Sequence, residues 1–156
     1  MSSGDFVPSD FQPPTSLVTD RFRLEPLGPQ HNEADLAAWT SSIEHIRATP
    51  GYPDGSWPPP EGKSLEANLA DLNRHAADFA ARSGFTYTVL DPDDGDVIGC
   101  VYLYPATAPD HDVVVQSWVR ASHAELDQPL AEAVSDWLAT AWPWSRVDYL
   151  GRVTPA

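Results

Sequence analysis

Residues 85–120 read FTYTVLDPDDGDVIGCVYLYPATAPDHDVVVQSWVR. Three apolar runs, Phe85–Leu90, Val97–Tyr104 and Val113–Arg120, are separated by stretches rich in Asp, Pro and Ala. That is the pattern of successive strands joined by turns. Phe85–Leu90 carries polar alternates, whereas Val97–Tyr104 is nearly continuous, which predicts a strand buried on both faces. The link Asp91-Pro92-Asp93-Asp94-Gly95-Asp96 invites a calcium reading. An EF-hand loop needs glycine at its sixth position and glutamate at its twelfth. Counted from Asp91, glycine falls fifth and the twelfth residue is Tyr102, so the Asp-Gly step reads as a hairpin turn.

Working outward, RFRLEPL (21–27) places Phe22 and Leu24 on one face and Arg23 and Glu25 on the other, a strand ended by Pro26. After the Gly28-Pro29 turn, Leu36, Trp39, Ile43 and Ile46 recur at helical spacing, with Asn32 as the cap. TPGYPDGSWPPPEGK (49–63) holds five prolines and three glycines. It is a loop whose aromatics, Tyr52 and Trp57, either cover the edge of the core or form a lid over a pocket. Ser64 caps a long helix with Leu65, Leu69, Leu72, Ala76 and Phe79 on one face, and Gly84 stops it. Beyond Arg120 a helix carries Leu130, Val134, Trp137, Leu138 and Ala141 inward until Pro143 breaks it, and Arg146–Leu150 forms a short strand. Residues 1–20, with Pro8, Pro13 and Pro14, read as an extended arm that orders where Phe6 or Phe11 docks. Residues 21–156 read as a single domain.

With 156 residues, 42% of them apolar, the chain can bury a core without disulfides or metals. Nine basic against 23 acidic residues give 9 − 23 = −14. Such a body repels phosphate backbones and anionic membranes, so neither nucleic acid nor membrane is an expected partner. No run approaches the about 20 apolar residues of a membrane helix, and the start does not resemble a secretory signal. The single Cys100 has no partner for an internal disulfide, which fits a cytoplasmic protein.

Several chemistries lack their motifs: there is no G-x-G-x-x-G, no Walker-type loop, no G-x-S-x-G and no H-E-x-x-H. His31, His45, His75, His111 and His123 are scattered and never pair at metal-ligand spacing, so they read as surface or capping residues and no metal is expected. Cys100 lies in the most apolar strand, where a thiol behaves as a small hydrophobe.

The order strand, helix, helix, three strands, helix, strand, with the wording of its segments, resembles the GNAT superfamily of N-acetyltransferases over about residues 21–151. RFRLEPLGPQHNEADLAAW looks like that family's first strand and helix, and FTYTVLDPDDGDVIGCVYLYP like its central hairpin, with glycine in IGCV. VVVQSWVR and the following helix look like its fourth strand and cofactor-binding helix. The resemblance implies an α/β (α+β) fold: a mixed, mostly antiparallel sheet of about five strands flanked by three helices. It also implies an acyl-CoA-dependent N-acyltransferase, with acetyl-CoA in a gap between the fourth and fifth strands and a primary amine of a small molecule or protein as acceptor. Carried over, Trp118, Val119 and Arg120 offer backbone to the pantetheine arm. Residues 121–128 would cradle the pyrophosphate, with Ser122 and His123 among its contacts.

The chain departs from that pattern. No glycine lies between Ala121 and Trp144, Glu125 and Asp127 stand in the loop, and Ser122-His-Ala-Glu125 matches a capping box that would occupy the same amides. Pro129 places the main helix's start near Asp127 or Gln128. Only Arg120 and a protonated His123 could offset the carboxylates. Family members continue past the fifth strand, where a tyrosine general acid often lies, whereas this sequence reads to Ala156. Tyr149 is the one late tyrosine and is either that acid or a packing residue. Asp112, with Asp110 beside it, is either a base at the fourth strand's start or a solvated turn residue. The alternative to the enzyme is a non-catalytic GNAT-like binding protein that has lost the cofactor. The open edge of the last strand, beside Trp142 and Trp144, predicts a homodimer, with the N-terminal arm as the competing cover.

Overall fold

The structure, a computed structural model, describes residues 6–51 and 58–150. Among these, six strands form one sheet in the order of the chain: β1 (Leu17–Val18), β2 (Arg23–Pro26), β3 (Phe85–Leu90), β4 (Val97–Pro105), β5 (Val113–Val119) and β6 (Val147–Tyr149). Neighbours are antiparallel except β5 and β6, which run parallel. The helices are α1 (Asn32–Thr40), α2 (Ile43–Arg47), α3 (Leu65–Ala81) and α4 (Asp127–Ala141). The mixed, mostly antiparallel α/β architecture is the one expected, with one strand and one helix more. The extra strand is β1, a two-residue pairing of the arm with β2. The extra helix comes from a break: Ser41 and Ser42 interrupt the turn between Trp39 and Ile43, and Ser41 Oγ bonds to the Ala38 carbonyl. Asn32 is the first residue of α1 and not its cap; its side chain reaches across to α3.

The sheet separates two apolar layers. One packs α4 against Leu24, Tyr87, Val101, Val115 and Tyr149; the other packs α1 and α3 against Val97, Cys100 and Trp118. Strand β4 is buried on both faces over Val97–Val101, as its unbroken apolar run requires. Gly99 leaves room for the β5 backbone: a Cβ there would lie 2.1 Å from the Trp118 carbonyl oxygen. The Asp91–Asp96 link is a hairpin turn, with Gly95 at φ 72° and Asp91 Oδ1 accepting from the Asp93 amide. No helix among the described residues is long and apolar enough to cross a membrane.

Helix α3 begins as read, with Ser64 Oγ accepting from the Ala67 amide. Its end is different. Arg82 takes the left-handed conformation (φ 63°) and closes the helix. Gly84 serves another purpose, since a Cβ there would lie 2.1 Å from the Tyr104 ring. Leu65 and Leu69 are exposed, because the buried face of α3 centres on Asn68 and Leu72.

The arm crosses the α4 layer. Phe6 stacks on Phe85 and Trp144, Phe11 packs against Trp142, the Trp144 indole N–H donates to the Phe6 carbonyl, and Tyr87 OH donates to the Pro14 carbonyl. Trp142 and Trp144 are thereby left only 7% and 8% exposed. Replacing both Phe6 and Phe11 by alanine uncovers that aromatic stack. The expected loss is ~3 kcal/mol, since part-buried phenylalanines fall at or below the core range. Urea unfolding with tryptophan emission checks it; an unchanged midpoint contradicts the docking.

Candidate functional site

The parallel pairing of β5 with β6 is short. It joins Val113 to Val147, Val114 to Asp148 and Val115 to Tyr149, and closes with the Leu150 amide donating to the Val115 carbonyl at 3.0 Å. Among the described residues no strand accompanies Gln116–Val119 on that side. Backbone groups alternate along a strand, so their directions are fixed by two bonds. The Arg120 amide donates to the Ile98 carbonyl in β4, while the Val115 carbonyl accepts from Leu150 beside β6. Ser117 and Val119 therefore turn their amides and carbonyls to the gap. Of the three residues singled out in the sequence, Val119 does so, whereas Trp118 and Arg120 point theirs at β4. The Trp118 side chain is buried, its indole N–H donating to Tyr102 OH at 3.0 Å. The Arg120 guanidinium is turned to Asp96 and the Val97 carbonyl, away from the following loop.

That loop is wound into a 3-10 helix, Ala121–Leu126, running straight into α4 at Asp127. Two of its amides and the first of α4 are taken: Ala121 donates to Ser42 Oγ at 2.7 Å, His123 to the Arg120 carbonyl, and Asp127 to the Ala124 carbonyl. Ser122 Oγ pairs with His123 Nδ1 at 2.9 Å, so the Ser122–Glu125 capping box does not form. Glu125 is exposed and Asp127 half-buried in the first turn of α4. A phosphate needs free amides at a helix start. Here the amides of Ala121 and His123 have partners and carboxylates stand close by. The gap has the open edge that a thioester arm requires, whereas the loop does not fit a diphosphate.

On the α1 and α3 side, beside the end of the parallel pairing, lies a cavity of about 460 Å³. Gln116 and Leu150 border it at the gap, and Gly51 and Lys63 at the proline-rich loop. The lid residues proposed from sequence, Tyr52 and Trp57, lie outside the described residues. Gly51 itself is held by Gln116, whose amide donates to its carbonyl at 3.1 Å.

The cavity wall contains groups that the sequence reading passed over. Asp35 is 5% exposed and accepts one bond, from Asn68 Nδ2 at 3.2 Å. Asn68 is itself fixed, donating to Asn32 Oδ1 at 2.8 Å and accepting from the Trp39 indole N–H at 3.1 Å. Burial, opposed by the Asn68 bond and reinforced by Asp71, raises the Asp35 carboxyl to about 6. The available signal was its spacing: Asp35 stands three and four residues before Ala38 and Trp39, on the buried face of α1. His75 also lines the cavity, which corrects its reading as a surface or capping residue. Tyr104 OH donates to Asp78 Oδ2 and meets His75 Nδ1 at 2.9 Å, with Thr86 Oγ1 at 3.1 Å on the same nitrogen. Burial above all, with Arg74 nearby, lowers His75 to about 4, so its ring is neutral at pH 7.

The two catalytic candidates stand apart from this wall. Asp112 accepts from the Ser145 and Arg146 amides and from the Arg146 guanidinium at 2.8 Å, which ties the start of β5 to β6 and holds its carboxyl low. Tyr149 is buried on the α4 face, its hydroxyl on Ser117 Oγ across the mouth of the gap. Among the described residues no three His, Cys, Asp or Glu side chains gather as a metal site. Burial pushes the Cys100 thiol up.

No family model and no curated protein matches the chain in sequence. Solved structures do match in shape. The ribosomal-protein-S5-alanine acetyltransferase from Vibrio fischeri superposes with a TM-score of 0.62 at 16% identity, over 82% of this chain and 69% of that one. The chain has the GNAT acetyltransferase fold. A putative ribosomal-protein-serine acetyltransferase from Vibrio cholerae (TM-score 0.61, 10% identity, 81% and 68% covered) shares this GNAT fold. So does RimL in complex with coenzyme A (0.59, 12%, 79% and 66%).

The buried Asp35 has a stability consequence. Its folded pKa lies above the ordinary 3.8, so the folded chain binds the proton more tightly and stability falls as pH rises from 3.8 to about 6. At about 1.4 kcal/mol per pH unit, the charged group costs ~3 kcal/mol above that window. Asp35→Asn keeps the bond from Asn68 and removes the charge. It should be more stable than the parent by up to ~3 kcal/mol at pH 7, with the difference vanishing toward pH 4. Urea unfolding across this range checks it, and a variant destabilised equally at every pH contradicts it.

Proposed function

We propose that this chain is an N-acyltransferase that moves an acyl group, acetyl in the first instance, from a coenzyme A thioester to a primary amine held in the cavity. One observation carries the reading: in a GNAT fold, the parallel pairing stops after Val115 and a cavity lies beside that point. Bound along the Ser117–Val119 edge, the coenzyme thioester would supply an activated acyl carbonyl and a thiol leaving group. The chain supplies position. Ser117 and Val119 present backbone donors and acceptors in the gap, Gln116 and Leu150 border the cavity where it meets the gap, and the cavity walls hold the amine beside it. The −14 charge suits a cationic acceptor and opposes nucleic acid or anionic membranes as partners.

A second reading, a binding protein without the coenzyme, draws support from the occupied amides of Ala121 and His123. Calorimetry with acetyl-CoA separates the two. The enzyme reading expects weak binding and release of free thiol that depends on added amine; no heat and no thiol favours the binding protein. Neutralising the loop with Glu125→Gln and Asp127→Asn should tighten acetyl-CoA roughly 3- to 30-fold, taking 0.3–1 kcal/mol for each charge near a helix start. Unchanged or weaker binding contradicts this account of the loop. For assembly, we propose a homodimer along β6, the last strand of the sheet. Trp142 and Trp144 lie under the arm and would contribute little to it. Sedimentation at micromolar concentration should give a dimer, and a monomer contradicts the proposal.

A further inference from the structure

We propose that Asp35 is the anchoring carboxylate for the ammonium group of a small primary aliphatic amine bound in the cavity. The inference rests on the acyl-transfer reading only in treating that molecule as the acceptor. For transfer, its ammonium first gives one proton to Asp35 or to water, and after the neutral amine attacks, a second proton goes to the leaving thiolate.

The argument begins with cost. A carboxylate out of water is expensive unless a cation or several donors meet it. Asp35 is 5% exposed, lines the cavity, and receives one donor, Asn68 Nδ2. Asn68 can do no more. Its amide also serves Asn32 and its carbonyl oxygen takes the Trp39 indole N–H. The basic groups of the wall do not answer Asp35 either. Lys63 is paired with Asp71, Arg74 contacts the same carboxylate at 3.4 Å, and His75 is bound to Tyr104 and Thr86 and uncharged at pH 7. The described lining from α1, α3 and β4 thus holds the Asp35 carboxylate with its Asn68 donor, the Asp71 carboxylate shared by Arg74 and Lys63, a neutral imidazole, and apolar or aromatic surface from Trp39, Leu72 and Tyr102.

Among the described residues Asp35 is the carboxylate of this wall that no cation meets, and Trp39, Leu72 and Tyr102 give an apolar surround for a short alkyl stem. A space of about 460 Å³ suits a small molecule. An ammonium supplies the donors that Asp35 lacks, and a charge-assisted bond in a buried site is stronger than a neutral one. A hydroxyl of the same shape supplies no charge. Lys63 and Arg74 share the one Asp71 carboxylate, which cancels one of their two charges, and Arg74 is 61% exposed, where water and salt screen the other against an entering amine. The arrangement explains why a group that weakens the fold occupies a core position of α1: the cost is recovered when the amine binds.

The test uses the full-length protein and n-butylammonium chloride, with n-butanol as the uncharged control, followed by the NMR signal of the Asn68 side-chain amide. Butylammonium should shift that signal saturably, butanol should not, and Asp35→Asn should weaken the effect about tenfold or more. Asp35→Glu, which keeps the charge, should retain part of it. Equal response to butylammonium and butanol, or an Asp35→Asn protein that binds as well as the parent, overturns the inference. The two proposals fail separately. Asp35-dependent binding without thiol release from acetyl-CoA leaves the ammonium site standing and removes the acyl-transfer reading. Thiol release unaffected by Asp35→Asn, with unaffected butylammonium binding, does the reverse.

Discussion

The structure turns on a pairing that stops early. Strand β5 has seven residues, Val113–Val119, yet β6 accompanies only its first three. Had the pairing continued, the next donor, the Ser117 amide, would be consumed in the ladder and the two layers of the molecule would be sealed from each other there. Instead the sheet opens on the line that separates the α4 layer from the α1 and α3 layer, and the cavity lies beside the opening. Asp112 and Tyr149 hold this geometry. The first clasps the approach to β6 through the Ser145 and Arg146 amides, and the second reaches Ser117 from the α4 side. Both place strands through these bonds.

Tight packing on one side of β5 makes looseness on the other possible. Gly99 lets the β4 and β5 backbones approach where any side chain would collide with the Trp118 carbonyl, and the Arg120 amide bonds to Ile98 at the same end. With β5 fixed to β4 over its whole length, its other edge can remain unaccompanied without the strand fraying. The loop after β5 then takes a compact form, with the Ala121 amide committed to Ser42 in the break between α1 and α2. The bend that shortened the expected first helix and the occupied amide are one feature, linked by a single hydrogen bond at 2.7 Å.

Strands and the major helices were legible because their signals are local. The hairpin at Asp91–Asp96, the doubly buried β4, the Ser64 cap and the start of α4 at Asp127 all follow from periodicity and turn chemistry over a few residues. What escaped was set by partners distant in sequence. Gly84 looked like a helix stop, but its constraint is the Tyr104 ring; Arg82 ends the helix in a conformation a periodicity argument does not predict. Leu65 and Leu69 share the spacing of a buried face, but both are exposed, because the face of α3 that packs against α1 is the one carrying Asn68 and Leu72. Asp35 and His75 were hidden for a related reason: one looks like a surface acid and the other like a scattered histidine until α1, α3 and β4 are brought together. The glycine-free, acidic loop was visible from the start, and the structure adds which amides are occupied.

Whether the gap receives a thioester is the claim on which the rest of the functional account stands, and amide chemical-shift mapping with acetyl-CoA addresses it directly. The account predicts that the Ser117 and Val119 amides, whose backbone faces the gap, shift on titration, while Ala121 and His123, whose amides are committed to Ser42 and Arg120, stay in place. Shifts confined to residues 121–127 with β5 unmoved, or no shifts at millimolar acetyl-CoA, would contradict it.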